Sequence, residues 1–137
     1  MTRVCLDTTV ISDAIREQAA ALEMIRRLEQ RGDTLVTTAH NVYEAAVGAF
    51  RLKPSDSQLR VFARLRRLLD GIEVIPFDLD AALEAARITA PLFGRGRPPP
   101  TMDLLTASSA RRGGCTAILT RDVTDFKRIG VLEVIGY

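Results

Sequence analysis

Five short apolar, β-branched runs recur along the chain at residues 4–6, 34–37, 72–75, 116–119 and 131–135, and stretches with helical spacing separate them. This alternation constrains the fold more than any other feature. Most of the runs lack the apolar–polar alternation of a sheet with one wet face, so they predict strands covered on both sides. The stretches between them place apolar residues three to four apart. Examples are Val10, Ile11, Ala14 and Ile15; Ala21, Leu22, Ile25 and Leu28; Leu59, Phe62, Leu65 and Leu69; and Leu83, Ala86 and Ile88. Strands alternating with helices predict a three-layer α/β/α domain around a parallel sheet of about five strands.

Punctuation agrees with this pattern. Thr8 or Thr9 can cap the first helix, Ser55 or Asp56 the fourth, Asp78 or Asp80 the fifth and Thr101 the sixth. Lys53-Pro54, Gly71 and Gly113-Gly114 mark helix ends. Residues 91–100 read as one long loop, with Gly94, Arg95, Gly96, Arg97 and three consecutive prolines. With 137 residues, 47% hydrophobic and 26% charged, residues 1–137 suit one domain and not a disordered chain.

The first residues reach Asp7 too soon for a secretory leader, and no apolar run approaches the ~18 residues of a membrane span. Cys5 and Cys115 both fall in apolar runs and read as buried thiols, as expected of a cytoplasmic protein that meets no membrane.

Charge is where chemistry enters. The net charge is only +2, and the basic residues are seventeen arginines, two lysines and one histidine. Mechanisms built on imidazole or amine are therefore poorly supplied, whereas seventeen carboxylates are available. In an open parallel sheet, ligands bind outside the carboxyl ends of the strands. Asp7 directly follows the first strand, and Asp122 shortly follows the fourth. Glu44 lies early in the helix after the second strand, and Asp103 lies in the first turn of the helix after the proline loop. Each has a plain structural account when taken alone. Asp7 could be a helix N-cap, Asp103 a dipole partner, Glu44 a surface acid, and Asp125 a cap beside a core Phe126. What favours chemistry is their shared edge. Carboxylates brought together repel, and each must take a proton or share a cation. Oxygen donors select Mg²⁺ or Mn²⁺, and such a site suits phosphodiester hydrolysis without histidine or lysine.

The sequence around these acids resembles the PIN domain family. Leu6-Asp7-Thr8-Thr9-Val10-Ile11-Ser12 resembles its opening motif, and Thr37-Thr38-Ala39-His40-Asn41-Val42-Tyr43-Glu44 its second. Asp103-Leu104-Leu105-Thr106-Ala107-Ser108 is similar to the third, with Thr106 at a usually aliphatic position. Leu119-Thr120-Arg121-Asp122-Val123-Thr124-Asp125-Phe126 is similar to the fourth. The size matches the VapC toxins of toxin–antitoxin pairs. The resemblance implies a Mg²⁺- or Mn²⁺-dependent endoribonuclease, a homodimer, and a small antitoxin as protein partner. It assigns Asp7, Glu44, Asp103 and Asp122 to the acidic quartet, with Asp7 and Asp103 as direct metal ligands. Thr120 would orient the fourth acid, and Asp125 competes with Asp122 for that role. Alternatives within the family are a housekeeping nuclease and a catalytically silent partner-binding module.

RNA needs basic surroundings. Arg60, Arg64 and Arg67 share one helix face, Arg95 and Arg97 sit in the proline loop, and Arg121 stands beside Asp122. The first five are candidates for RNA or antitoxin contact, and Arg121 is a candidate at the site. His40 reads as a helix-start residue and not as a base. Two rivals fit the layout less well. A phosphorylated receiver domain needs a Lys after the fifth strand, where the chain has none, and an Asp-x-Asp phosphatase needs an acid where Thr9 stands.

Overall fold

The computed structural model describes residues 2–137. Five strands form, β1 (Arg3–Leu6), β2 (Thr34–Thr38), β3 (Glu73–Ile75), β4 (Ala117–Leu119) and β5 (Glu133–Ile135). The helices are α1 (Thr8–Ile15), α2 (Ala19–Gln30), α3 (Ala39–Phe50), α4 (Asp56–Asp70), α5 (Leu79–Thr89), α6 (Thr101–Arg112) and α7 (Val123–Ile129). All neighbouring strands pair in parallel, in the order β3-β2-β1-β4-β5. The order reverses at β1, so the crevice between the ends of β1 and β4 is the topological switch point where such sheets bind ligands.

The sheet divides the core in two. Val4, Leu6, Leu35, Ala117 and Leu119 face Val10, Ile11 and Ile15 of α1, Leu28 of α2, Ala45 and Ala49 of α3, and Val61 and Leu65 of α4. Cys5, Val36 and Ile118 face the other way, onto Leu104, Ala107 and Ala110 of α6 and Phe126 and Ile129 of α7. This is the three-layer arrangement that unbroken apolar runs require. Both cysteines are buried and free. Among the described residues, no helix is long and apolar enough to cross a membrane.

Caps form where short polar side chains precede helices. Ser55 Oγ accepts from Gln58 N (3.2 Å), and Asp78 Oδ1 accepts from Ala81 N (2.8 Å). Other expectations are corrected. Thr101 is the first residue of α6 and not its cap; Pro100 holds the cap position, with no side-chain bond. The first half of the proline loop is a 3₁₀ turn, Ala90–Arg95, entered through Pro91. Leu59 is 66% exposed and Leu83 62% exposed. Val61 replaces Leu59 on the inner stripe of α4, and Ala81 and Ala85 are the residues α5 buries as it packs against α6. Helical spacing fixes a stripe, but not which of two adjacent stripes meets the sheet.

Candidate active site

Asp7 is the residue immediately after β1, held in register by its N–H, which donates to Leu119 O (3.1 Å) at the end of β4. It occupies the N-cap position of α1, yet its side chain makes no capping bond. Instead Oδ2 accepts from Thr120 Oγ1 (2.7 Å) and from Thr9 Oγ1 (3.3 Å). The simple helix-cap account of Asp7 therefore fails. The residue is 2% exposed, and burial raises its pKa above the usual carboxylate range. The Thr120 bond opposes that rise, and the charges of Asp122 and Glu44 add to it.

Thr120, fully buried, serves two acids at once. Its hydroxyl donates to Asp7 and accepts from Asp122 N (2.9 Å). It thus sets the backbone from which the exposed Asp122 projects at the start of α7. Asp125 lies one turn further along, in the first turn of α7, and its Oδ1 stands 3.6 Å from Arg128 Nη1. It is not the cap; Phe126 beside it is a core anchor, as its neighbours suggested.

Glu44, on the second turn of α3, accepts from Thr8 Oγ1 (2.8 Å) through Oε1. Asp103, in the first turn of α6, has its pKa pushed up to about 7. Burial contributes most, followed by the charges of Asp7, Asp122, Asp125 and Glu44. Four elements therefore bring the predicted acids within electrostatic reach of one another. They are not drawn into a closed cage, since among the described residues no three His, Cys, Asp or Glu groups are arranged to hold an ion. Like charges oppose closer approach.

Sequence reasoning missed the residue that braces this site from below. Asn41 is fully buried. Its Oδ1 accepts from Thr8 N (3.2 Å), Thr8 Oγ1 (3.0 Å) and Thr106 Oγ1 (3.4 Å), and its Nδ2 donates to Leu6 O (3.2 Å). It ties β1, α1, α3 and α6 together beneath the acids. The available signal was an amide on the inner face of α3, three residues before Glu44. Thr106, polar where an aliphatic residue is usual, answers to it.

The arginines scatter. Arg121 is exposed at the site; its N–H donates to Thr9 Oγ1 (3.0 Å) and its Nε meets Asp13 Oδ2 at 3.0 Å. The Tyr137 hydroxyl donates to the same Asp13 oxygen (2.7 Å). Arg64 donates to Ile15 O (3.1 Å) and pairs with Glu17, at the end of α1 opposite Asp7. Arg64 and Arg67 line an apolar cavity of about 210 Å³ there with Ile15, Leu22 and Ile25. The structure therefore does not bring them to the acids, nor Arg60, which is exposed on the same helix. His40 packs edge-on against Phe77 at 4.7 Å, and burial lowers its pKa despite Glu44.

Comparison with known proteins gives four findings. The PIN domain family model matches residues 4–132. A tRNA(fMet)-specific endonuclease VapC of Shigella flexneri is 27% identical over 133 residues, covering 97% of this chain and 96% of that protein. Ribonuclease VapC1 of Rickettsia felis is 29% identical over 92 residues, covering 67% of this chain and 68% of that one. Among solved structures, VapBC2 of Rickettsia felis bound to a promoter DNA fragment superposes with a TM-score of 0.84 at 20% identity, covering 98% of each chain, which shows a shared fold.

Proposed function

The chain belongs to the PIN domain family, and from that membership we propose that it is a metal-dependent endoribonuclease acting as the toxin of a toxin–antitoxin pair. The observation that carries this reading is the convergence of four carboxylates from separate elements, close enough that Asp7, Asp122 and Glu44 raise the pKa of Asp103, and Asp122 and Glu44 add to the rise at Asp7. A structural set of carboxylates would be paired with arginine; here Asp7 and Glu44 accept from threonine hydroxyls, and among the described residues the ion pairs involve none of the four acids.

The donor set fits a hard divalent cation, because it offers oxygen atoms only and carries excess negative charge. Asp7, Asp103, Asp122 and Glu44 are the residues to hold Mg²⁺ or Mn²⁺. The bound ion would supply an activated water and neutralise charge on the phosphoryl group. Thr120 fixes Asp7 and the backbone of Asp122, Thr8 fixes Glu44, and Asn41 fixes Thr8. Held this way, the carboxylates of Asp7 and Glu44 lose little freedom on binding an ion. Arg121, oriented by Asp13, is placed to meet the phosphodiester.

The named relatives are VapC nucleases, and the aligned solved complex is a VapBC pair on DNA. A small VapB-type antitoxin is accordingly the protein partner proposed here. A homodimer also has a surface to use. Tyr43, Val47 and Phe50 form an exposed stripe on α3, and Leu79 and Leu83 an exposed pair on α5, both helices packing on α6.

The test is RNA cleavage by purified protein with Mg²⁺, Mn²⁺ or EDTA. Cutting should require the ion and vanish in Asp103→Asn while circular dichroism stays unchanged. Cleavage that survives both EDTA and Asp103→Asn would refute the reading.

A further inference from the structure

The proline loop and α7 enclose a basic cleft that the acidic quartet does not use. Arg97, Pro98, Pro100, Asp125 and Arg128 line an opening of about 430 Å³. Leu92, Arg95, Pro99 and Arg128 line an adjoining one of about 200 Å³. Arg128 belongs to both, so the two form one track. Three features show that the track is organised. An Arg128 guanidinium nitrogen donates to Arg97 O, pinning the loop to α7. Arg128 is also held by Asp125, at 3.6 Å. Pro98, Pro99 and Pro100 fix their φ angles and offer no N–H, so this backbone holds its course, with Pro99 itself buried.

The track lies next to the chain segments that carry two of the acids. Pro100 leads directly into α6, whose first turn carries Asp103, and Asp125 lies within electrostatic reach of Asp103. Three exposed arginines against one acid match a chain of phosphates better than a neutral ligand.

We propose that the cleft between the proline loop and α7, lined by Arg95, Arg97 and Arg128, binds the sugar–phosphate backbone of the substrate strand next to the scissile bond. This rests on the ribonuclease reading above. The cleft has little aromatic lining, so it grips phosphate and does not read bases.

The test measures binding apart from cutting. A fluorescein-labelled single-stranded oligouridylate is titrated by anisotropy with Asp103→Asn protein over a range of salt. Adding Arg97→Gln and Arg128→Gln should weaken binding about tenfold. The slope of log K against log salt should become shallower by about 0.7 for each phosphate that is no longer neutralised. Lys at both positions should restore most of the slope. Arg87→Gln, on α5 and paired with Glu84, should change neither quantity. Unchanged affinity and slope in the double Gln variant would overturn the cleft proposal while leaving the nuclease reading intact; so would a variant in which only binding to a protein partner is weakened. Absence of RNA binding in the parent protein would overturn both.

Discussion

Asp103 concentrates the site's cost in one side chain. Its pKa rises to about 7 in the folded chain against an ordinary 3.8, so the folded state holds the proton more tightly. The resulting stability is fully present below pH 3.8 and is lost as the pH climbs through about 7. In EDTA, the protein should therefore melt at lower temperature at pH 8 than at pH 5. Asp103→Asn should flatten that dependence and stabilise the metal-free protein at pH 8 by about 1 kcal/mol, once solvent screening is discounted. A variant that is less stable than wild type at pH 8 would count against mutual repulsion of the acids. Thr120 makes a complementary case. Thr120→Val removes the shorter of the two bonds to Asp7 Oδ2 and strands the Asp122 N–H, at about 1–3 kcal/mol. Cleavage should fall with it, and Thr120→Ser should recover both melting temperature and rate.

At the scale of elements, the site depends on how closely helices meet the sheet. Gly113, the residue that ends α6, lies against Ile75 of β3, and a Cβ there would lie 2.4 Å from Ile75 Cδ1. Gly113→Ala should cost about 1–3 kcal/mol in chemical denaturation through overpacking. Ile75→Val, which removes Cδ1, should recover part of that loss in the double variant; purely additive costs would show that the two residues do not meet. The strands themselves were legible because their runs are short and uninterrupted, and all five appear within two residues of the expected bounds. Helix faces were less legible. Leu59 and Leu83 sit on periodic stripes yet face outward, Leu59 because Val61 and Leu65 form the buried stripe of α4, and Leu83 because small residues, Ala81 and Ala85, serve the close contact of α5 with α6.

For the whole molecule, the exposed residues of α3 and α5 become an asset only if a second copy covers them. Phe50 is 70% exposed, large and apolar, a costly placement for a monomer. Phe50→Glu should shift sedimentation from dimer to monomer while the metal-free melting temperature at high dilution stays near wild type. A wild-type protein that sediments as a monomer at all concentrations would remove the dimer from the proposal.

The order of strands and helices, and the edge on which Asp7, Glu44, Asp103 and Asp122 fall, were legible in the sequence. They depend on local rules: hydrophobic period, caps, and the position of an Asp directly after a strand. Tertiary structure alone decided the rest. Thr120 joins Asp7 across 113 positions of chain, and Asn41 joins four elements, through contacts that no local spacing encodes. The arginines show the same division. Arg64 and Arg67 share a helix face that folding carries to the end of α1 opposite Asp7. Arg97 and Arg128, 31 residues apart, become neighbours because the loop and α7 meet beside Asp103. A residue's type and period are properties of the chain near it; its partners are set by how the sheet orders its strands.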